Sequence, residues 1–233
     1  MLSSLQNEFK LLADAERALI SQRFFKTGPG QYGEGDIFVG LTVPQMRLLA
    51  KKYHNLSLMD IEKLLRSKIH EERFLALVIL VNQFKKADEK IQEQIYNFYL
   101  KHTKHINNWD LVDTSAAYIV GPFLQNKDKT ILTKLAHSKN LWERRIALLS
   151  TFHYIKQGEA DETFRIAELL LADKHDLIHK AVGWMLREVG KSCGEKIQKE
   201  FLDKHYGAMP RTMLRYAIER FSDSEKKKYL KKS

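Results

Sequence analysis

Apolar residues recur at intervals of three and four along nearly the whole chain, the spacing that gathers them on one face of an α-helix. The first such run predicts one long helix over 3–25, with Leu5, Phe9, Leu12, Ala13, Leu19 and Ile20 on its apolar side. The pattern resumes at Thr42, a suitable N-cap, with Pro44 in the first turn, where proline is tolerated. Helices are then expected over 43–53, 58–66, 70–86, 90–102, 108–124, 129–137, 141–156, 161–172, 176–191, 195–205, 210–221 and 223–231. The segment 70–86 carries Phe74, Leu75, Leu77, Val78, Leu80 and Val81, which leave little solvated face. Only Asp36-Ile-Phe-Val-Gly-Leu41 hints at a strand, and it is short. The chain reads as all-α.

The helices also repeat. Arg73-Phe-Leu-Ala76-Leu77, Arg145-Ile-Ala147-Leu148 and Arg215-Tyr-Ala217-Ile218 share a pattern, and their alanines lie 71 and 70 positions apart. His179-Lys-Ala-Val-Gly183 falls between the last two, and a looser copy lies near Trp109. A period of about 35 residues with two helices per unit marks an α-solenoid. The irregular interior and missing tetratricopeptide positions favour HEAT-like repeats. A helix pair that cannot bury its apolar face alone stacks on its neighbours, and stacking curves the array around a long groove. The expectation is a single curved α-solenoid of HEAT-like repeats over 1–233.

Composition narrows the partners. Lys and Arg total 39 against 29 Asp and Glu, a formal charge of +10, which favours polyanions, nucleic acid first and a membrane surface second. The single cysteine, Cys193, excludes an internal disulfide and a multi-cysteine metal site. The N-terminal ten residues lack the apolar run of a signal peptide, and no run approaches the roughly 20 apolar residues of a membrane span. A monomeric protein of the reducing cytoplasm, associated with the nucleoid when on DNA, is expected.

Four stretches carry candidate chemistry. In Asn108-Trp-Asp-Leu-Val-Asp113, Trp109 and Asp113 stand four apart and share a helix face. An indole beside a carboxylate suits a planar cation; the plainer reading is a tryptophan packed partly into the core beside a solvated acid. In 176–191, Lys180, Trp184, Arg187 and Lys191 form one stripe, with Val182, Leu186 and Val189 opposite it in the core. Three cations flanking a tryptophan suit nucleic acid, the cations on phosphates and the indole on sugar or base; otherwise the stripe is a solvated basic face. Gly183, beside Trp184, lets something approach closely. Trp142 reads as a packing residue, and one of Arg144 and Arg145 should face a phosphate. The segment Lys26-Thr-Gly-Pro-Gly-Gln-Tyr-Gly-Glu-Gly-Asp36 is no P-loop, since no Gly-Lys-Ser/Thr follows. It is either an ordinary loop using glycine for unusual backbone angles, or a backbone-amide contact to phosphate aided by Lys26.

These stretches, together with Phe25–Asp36 and Met209-Pro-Arg-Thr-Met-Leu-Arg-Tyr-Ala-Ile-Glu219, resemble the AlkD-like DNA alkylation repair family, from about residue 5 to 231. The resemblance implies a HEAT-like-repeat DNA glycosylase acting on N3- and N7-alkylated purines in duplex DNA, leaving the lesion in the duplex rather than flipping it into a deep pocket. It implies Asp113 as the catalytic carboxylate, Trp109 and Trp184 as an aromatic pair, and Arg145, with Arg144 as the fallback, as the phosphate-contacting arginine. Lys180, Arg187, Lys191 and Lys26 would add DNA-binding charge.

The chemistry is coherent. An alkylated purine already carries positive charge and leaves as a neutral base, so no general acid, metal or cofactor is required. A carboxylate stabilises the oxocarbenium character of the sugar and orients the attacking water. The dispersed histidines, including the pair His102 and His105, are taken as structural. The alternatives are a non-catalytic HEAT-like module binding damaged or branched DNA, and a protein-interaction scaffold, which leaves the Lys180/Trp184/Arg187/Lys191 stripe unexplained.

Overall fold

A helix ends where a side chain offers its backbone a better partner, and Asp14 does this early in the chain. Its carboxylate accepts from the Arg17 amide at 3.0 Å, and its own amide donates to the Val39 carbonyl at 2.8 Å. The expected single helix over 3–25 is therefore two: α1 (Leu2–Leu11) and α2 (Ala15–Phe24). The computed structural model describes residues 1–231. There α3 (Val43–Lys52), α4 (Leu58–Leu65), α5 (His70–Phe84), α6 (Glu89–Lys101) and α7 (Trp109–Phe123) follow, close to their expected bounds. Beyond them come α8 (Thr130–Ala136), α9 (Leu141–Ser150), α10 (Phe152–Ile155), α11 (Asp161–Leu170), α12 (Asp176–Ser192), α13 (Glu195–His205), α14 (Arg211–Ala217) and α15 (Asp223–Leu230).

Two further boundaries differ from the periodicity. The helix expected over 141–156 breaks at Thr151. There the Ser150 and Thr151 hydroxyls donate to the Ile146 and Leu148 carbonyls, at 2.6 and 2.7 Å, a local competition that bends helices. The one expected over 210–221 stops at Ala217, whose carbonyl accepts from the buried Gln198 amide at 2.7 Å. The hinted strand is a single parallel bridge between Ile37 and Ile69. Among the described residues, no helix is long and apolar enough to cross a membrane.

Packing divides the chain into two units, Met1–Ile119 and the remainder from Val120, with the boundary inside α7. In the first unit α5 is the central element, packed by α3 and α4, and Leu75, Ala76, Leu77, Ile79 and Leu80 are wholly buried. Its first turn is occupied by charge. Asp36, 8% exposed, accepts from Arg73 at 2.6 Å and from the His70 Nδ1–H at 3.0 Å; His70 Nε2 lies 2.7 Å from Asp110 at the start of α7. The buried Asn108 amide also reaches Asp36, at 3.4 Å. Next to this network Glu71, also buried, accepts from the amides of Val39 and Gly40. Burial pushes its pKa up, against the pull of those amides. Gly40 takes φ +86°, and a Cβ there would lie 2.1 Å from the Asp14 carbonyl. The loop before α3 is thus tied to the α1–α2 joint at one end and to α5 at the other.

In the second unit α12 is central, packed by α14, α13 and α9, with Val182, Leu186 and Val189 fully buried as the spacing predicts. Ala147 and Ala217 are buried there as Ala76 is in the first unit. The glycine at 183 serves a neighbouring helix: a Cβ would sit 2.4 Å from both the Met213 carbonyl oxygen and Tyr216 Cβ. Trp142 is buried, as expected of a packing residue.

Gly183→Ala should therefore lower stability by about 1–3 kcal/mol, the usual cost of overpacking, read as a lower urea midpoint; an unchanged midpoint would mean that α14 yields freely. The buried network predicts two pH limits. Burial works against the His70 imidazolium, but the carboxylates of Asp110 and Asp36 outweigh it and hold the group above its usual 6.5, with Arg73 opposing. Its contribution is complete below that value and lost as pH rises through the raised folded-state pKa. Asp36 is the reverse: burial would raise it, but His70 and Arg73 hold it below its usual 3.8, so its contribution is lost as pH falls through the lowered pKa. Urea midpoints measured across pH should fall at both ends; His70→Gln should remove the imidazole's share of the alkaline fall and also weaken the acid one, since His70 is one of the two groups that lower Asp36.

Candidate functional site

The start of α7 is built from its own side chains. Asn108 Oδ1 accepts from the Trp109 amide at 2.8 Å, and Asp110 Oδ1 from the Leu111 amide at 2.9 Å. With Leu111, Val112 and Ala116 fully buried on one side, Trp109 and Asp113 come to the other and line one groove, as their spacing predicts.

The indole is fixed by residues from far away in sequence. Phe25 stacks on Trp109 at 5.2 Å and 17°, Phe24 meets it edge-on at 5.9 Å, and Trp109 Nε1–H donates to the Tyr32 hydroxyl at 3.3 Å. Phe25 in turn stacks on Phe38 at 4.9 Å and lies 4.9 Å from His70. The glycine-dense segment thus acts as a clamp on Trp109, using positive φ at Gly30, Gly35 and Lys26 to turn. This bears out its use of glycine for unusual backbone angles. Sequence spacing misses Phe25 and Tyr32 as partners of the indole, since nothing local links either of them to Trp109.

The groove has a volume of about 1120 Å³ and is walled by three helices of the first unit. From α7 come Trp109, Asp110, Asp113, Thr114 and Tyr118; from α5, Phe74, Val78, Val81 and Asn82, followed by Lys85 and Lys86; from α3, Val43, Arg47 and Lys51, followed by His54. Asp110 is engaged by His70. Asp113 is half-buried on the groove wall. A carboxylate beside a fixed indole, over an apolar floor, can stabilise a planar cation or a developing positive charge and can orient a water.

The remaining expected residues lie in the second unit, apart from Lys26, which is exposed at the end of α2 with φ +53°. Trp184 is half-buried, its ring 5.9 Å from Phe152. The α12 cations each meet acids: Lys180 pairs with Asp176 at 2.6 Å, Arg187 with Glu219 and with Glu188 at 3.5 Å, and Lys191 with Glu188 at 3.8 Å. Arg144 is held by Asp173 at 2.6 Å and by the Ser138 carbonyl at 3.0 Å. Arg145 is only 4% exposed and donates to the Leu177 carbonyl at 2.7 Å. His102 is a structural histidine, bonded to the Phe98 carbonyl and Glu62. Among the described residues no group of three His, Cys, Asp or Glu could hold a metal ion.

The geometry can be set beside known proteins. No protein of curated function matches the sequence. Solved structures do match in fold. One, described as a predicted DNA alkylation repair enzyme from Enterococcus faecalis, has a TM-score of 0.69 at 17% identity, over 91% of this chain and 97% of that one. AlkD2 from Streptococcus mutans has a TM-score of 0.55 at 18% identity, over 95% and 97%. The protein smu.31 from Streptococcus mutans UA159 has a TM-score of 0.53 at 19% identity, over 95% and 98%. A family model described as DNA alkylation repair enzyme matches residues 5–221. The chain belongs to the DNA alkylation repair enzyme family, and membership implies DNA as its partner.

Proposed function

We propose that the protein is a DNA glycosylase that hydrolyses the N-glycosidic bond of cationic N3- and N7-alkylated purines in duplex DNA. The observation that carries this reading is the pairing of Asp113 with an immobilised Trp109 on one groove wall. Water attacks the anomeric carbon as the glycosidic bond breaks. The bonding electrons pass to the purine nitrogen and discharge its positive charge, and the water proton passes to Asp113 or to solvent. Asp113 stabilises the oxocarbenium character of the sugar and orients the water. Trp109 presents a ring face to the same positive charge.

The lesion is read in place. Behind Trp109 the space is filled by Phe25, Phe38 and His70, so the indole is a wall rather than a gate to a pocket. In the second unit the reading gives Trp184 the second aromatic contact and Arg145 the phosphate contact. Both assignments rest on the family resemblance, and Arg145 would act from a buried position. Lys26 is the exposed phosphate contact of the glycine-dense segment. For Arg144, Lys180, Arg187 and Lys191 a phosphate would have to displace or share a carboxylate partner.

Purified protein incubated with duplex DNA carrying N7-methylguanine should release the free base. Asp113→Asn should lose this by about a hundredfold or more, as expected for a group that stabilises developing charge. Trp109→Leu should lose roughly threefold to thirtyfold, the value of a partly desolvated cation–π contact. No release, with tight salt-dependent binding retained, would make the protein a non-catalytic DNA-binding module.

A further inference from the structure

Four cations line the groove that holds Trp109 and Asp113: Arg47, Lys51, Lys85 and Lys86. All four are exposed, and none pairs with a carboxylate among the described residues. Their neighbours behave differently. Lys52, next to Lys51, turns to Glu8, and Lys63 and Arg66 on α4 pair with Asp60 at 3.1 Å and Glu62 at 2.7 Å. These three acids pair with cations that do not line the groove.

Helix-dipole compensation explains only part of this. Lys51 and Lys85 stand at the C-terminal ends of α3 and α5, where cations are favoured. Arg47 sits mid-helix, where the dipole has no such effect, and it shares a face with Lys51 one turn away, about 6 Å along the axis. That rise is of the order of the step between neighbouring phosphates on one strand. Lys85 Nζ lies 5.2 Å from the Tyr118 ring centre, and Tyr118 belongs to the α7 wall, so its ammonium is held toward the groove.

We propose that Arg47, Lys51, Lys85 and Lys86 form a binding track for the phosphodiester backbone of duplex DNA beside the Trp109–Asp113 pair. The partner identification rests on the DNA reading above. The track is independent of excision, because it works by releasing counterions from phosphates. Unpaired cations contribute their full charge to that release, whereas the α12 cations must first be shared with acids.

The test is the salt dependence of binding to an unmodified duplex, for the whole protein. Arg47→Gln/Lys51→Gln/Lys85→Gln/Lys86→Gln should flatten the slope of log K against log salt by about 3.6, at about 0.9 per lost phosphate contact. Lys51→Gln/Lys85→Gln should flatten it by about 1.8. The ion-paired control Lys63→Gln/Arg66→Gln should leave it unchanged. Unchanged urea midpoints would show that the variants fold. A wild-type slope in the folded quadruple variant would overturn the track, whatever the excision assay gives. A flattened slope in a protein that releases no base would overturn the glycosylase reading and keep the track.

Discussion

A charge taken out of water is tolerated only with a partner, and the first unit is organised around that constraint. Asp36 and Arg73 are nearly inaccessible, and His70 joins them to Asp110. Breaking such a buried pair by removing one member costs about 3–5 kcal/mol, because the survivor is left uncompensated. The loop that carries Asp36 must therefore stay on α5, and the first turn of α7 must stay on His70. Phe25, at the head of that loop, is held against Trp109 by the same tie. The indole faces one direction because four charged or imidazole side chains behind it have no better place to be.

The half of this arrangement that lies on one helix was legible in the sequence. Trp109 and Asp113 are four residues apart, and helical periodicity places them together without further information. The core faces of α5 and α12 were legible for the same reason. What periodicity cannot contain is a contact such as Tyr32 to Trp109 or His70 to Asp110, whose members meet only through packing. Boundaries failed where a polar side chain interrupted an unbroken apolar pattern: Asp14 caps α2 although Leu12 and Leu19 continue the stripe across it. The division between the two packing units falls inside α7, a helix whose apolar pattern runs on unchanged.

The cations show a subtler limit. Spacing identified Lys180, Arg187 and Lys191 as one stripe, and they are one, but spacing within a helix is silent about acids from another, and Glu219 comes from beyond α14. Asp176, four residues before Lys180, was in plain view and is its partner. Arg47 and Lys51 have the same four-residue spacing with no acid one turn to either side. They lie in a stretch with no tryptophan to mark the face as unusual. Acids at i±4 around a basic pair distinguish the two faces from the amino-acid order alone: Lys180 has one, and Arg47 and Lys51 have none.

A carboxylate on a surface that binds a polyanion is a cost, since it repels the phosphates that the surrounding cations attract. Of the two acids in the groove, Asp110 is neutralised by His70, which removes its share of that cost. Asp113 stands one turn further along α7, where Trp109 presents a ring. A carboxylate beside a ring face suits that end of the groove to positive charge. In the proposed reaction an alkylated purine brings such a charge and a departing one leaves it on the sugar. On the proposed reading the two ends of the groove differ: cations for the backbone, which is anionic throughout, and an anion for the one position where the DNA itself becomes cationic.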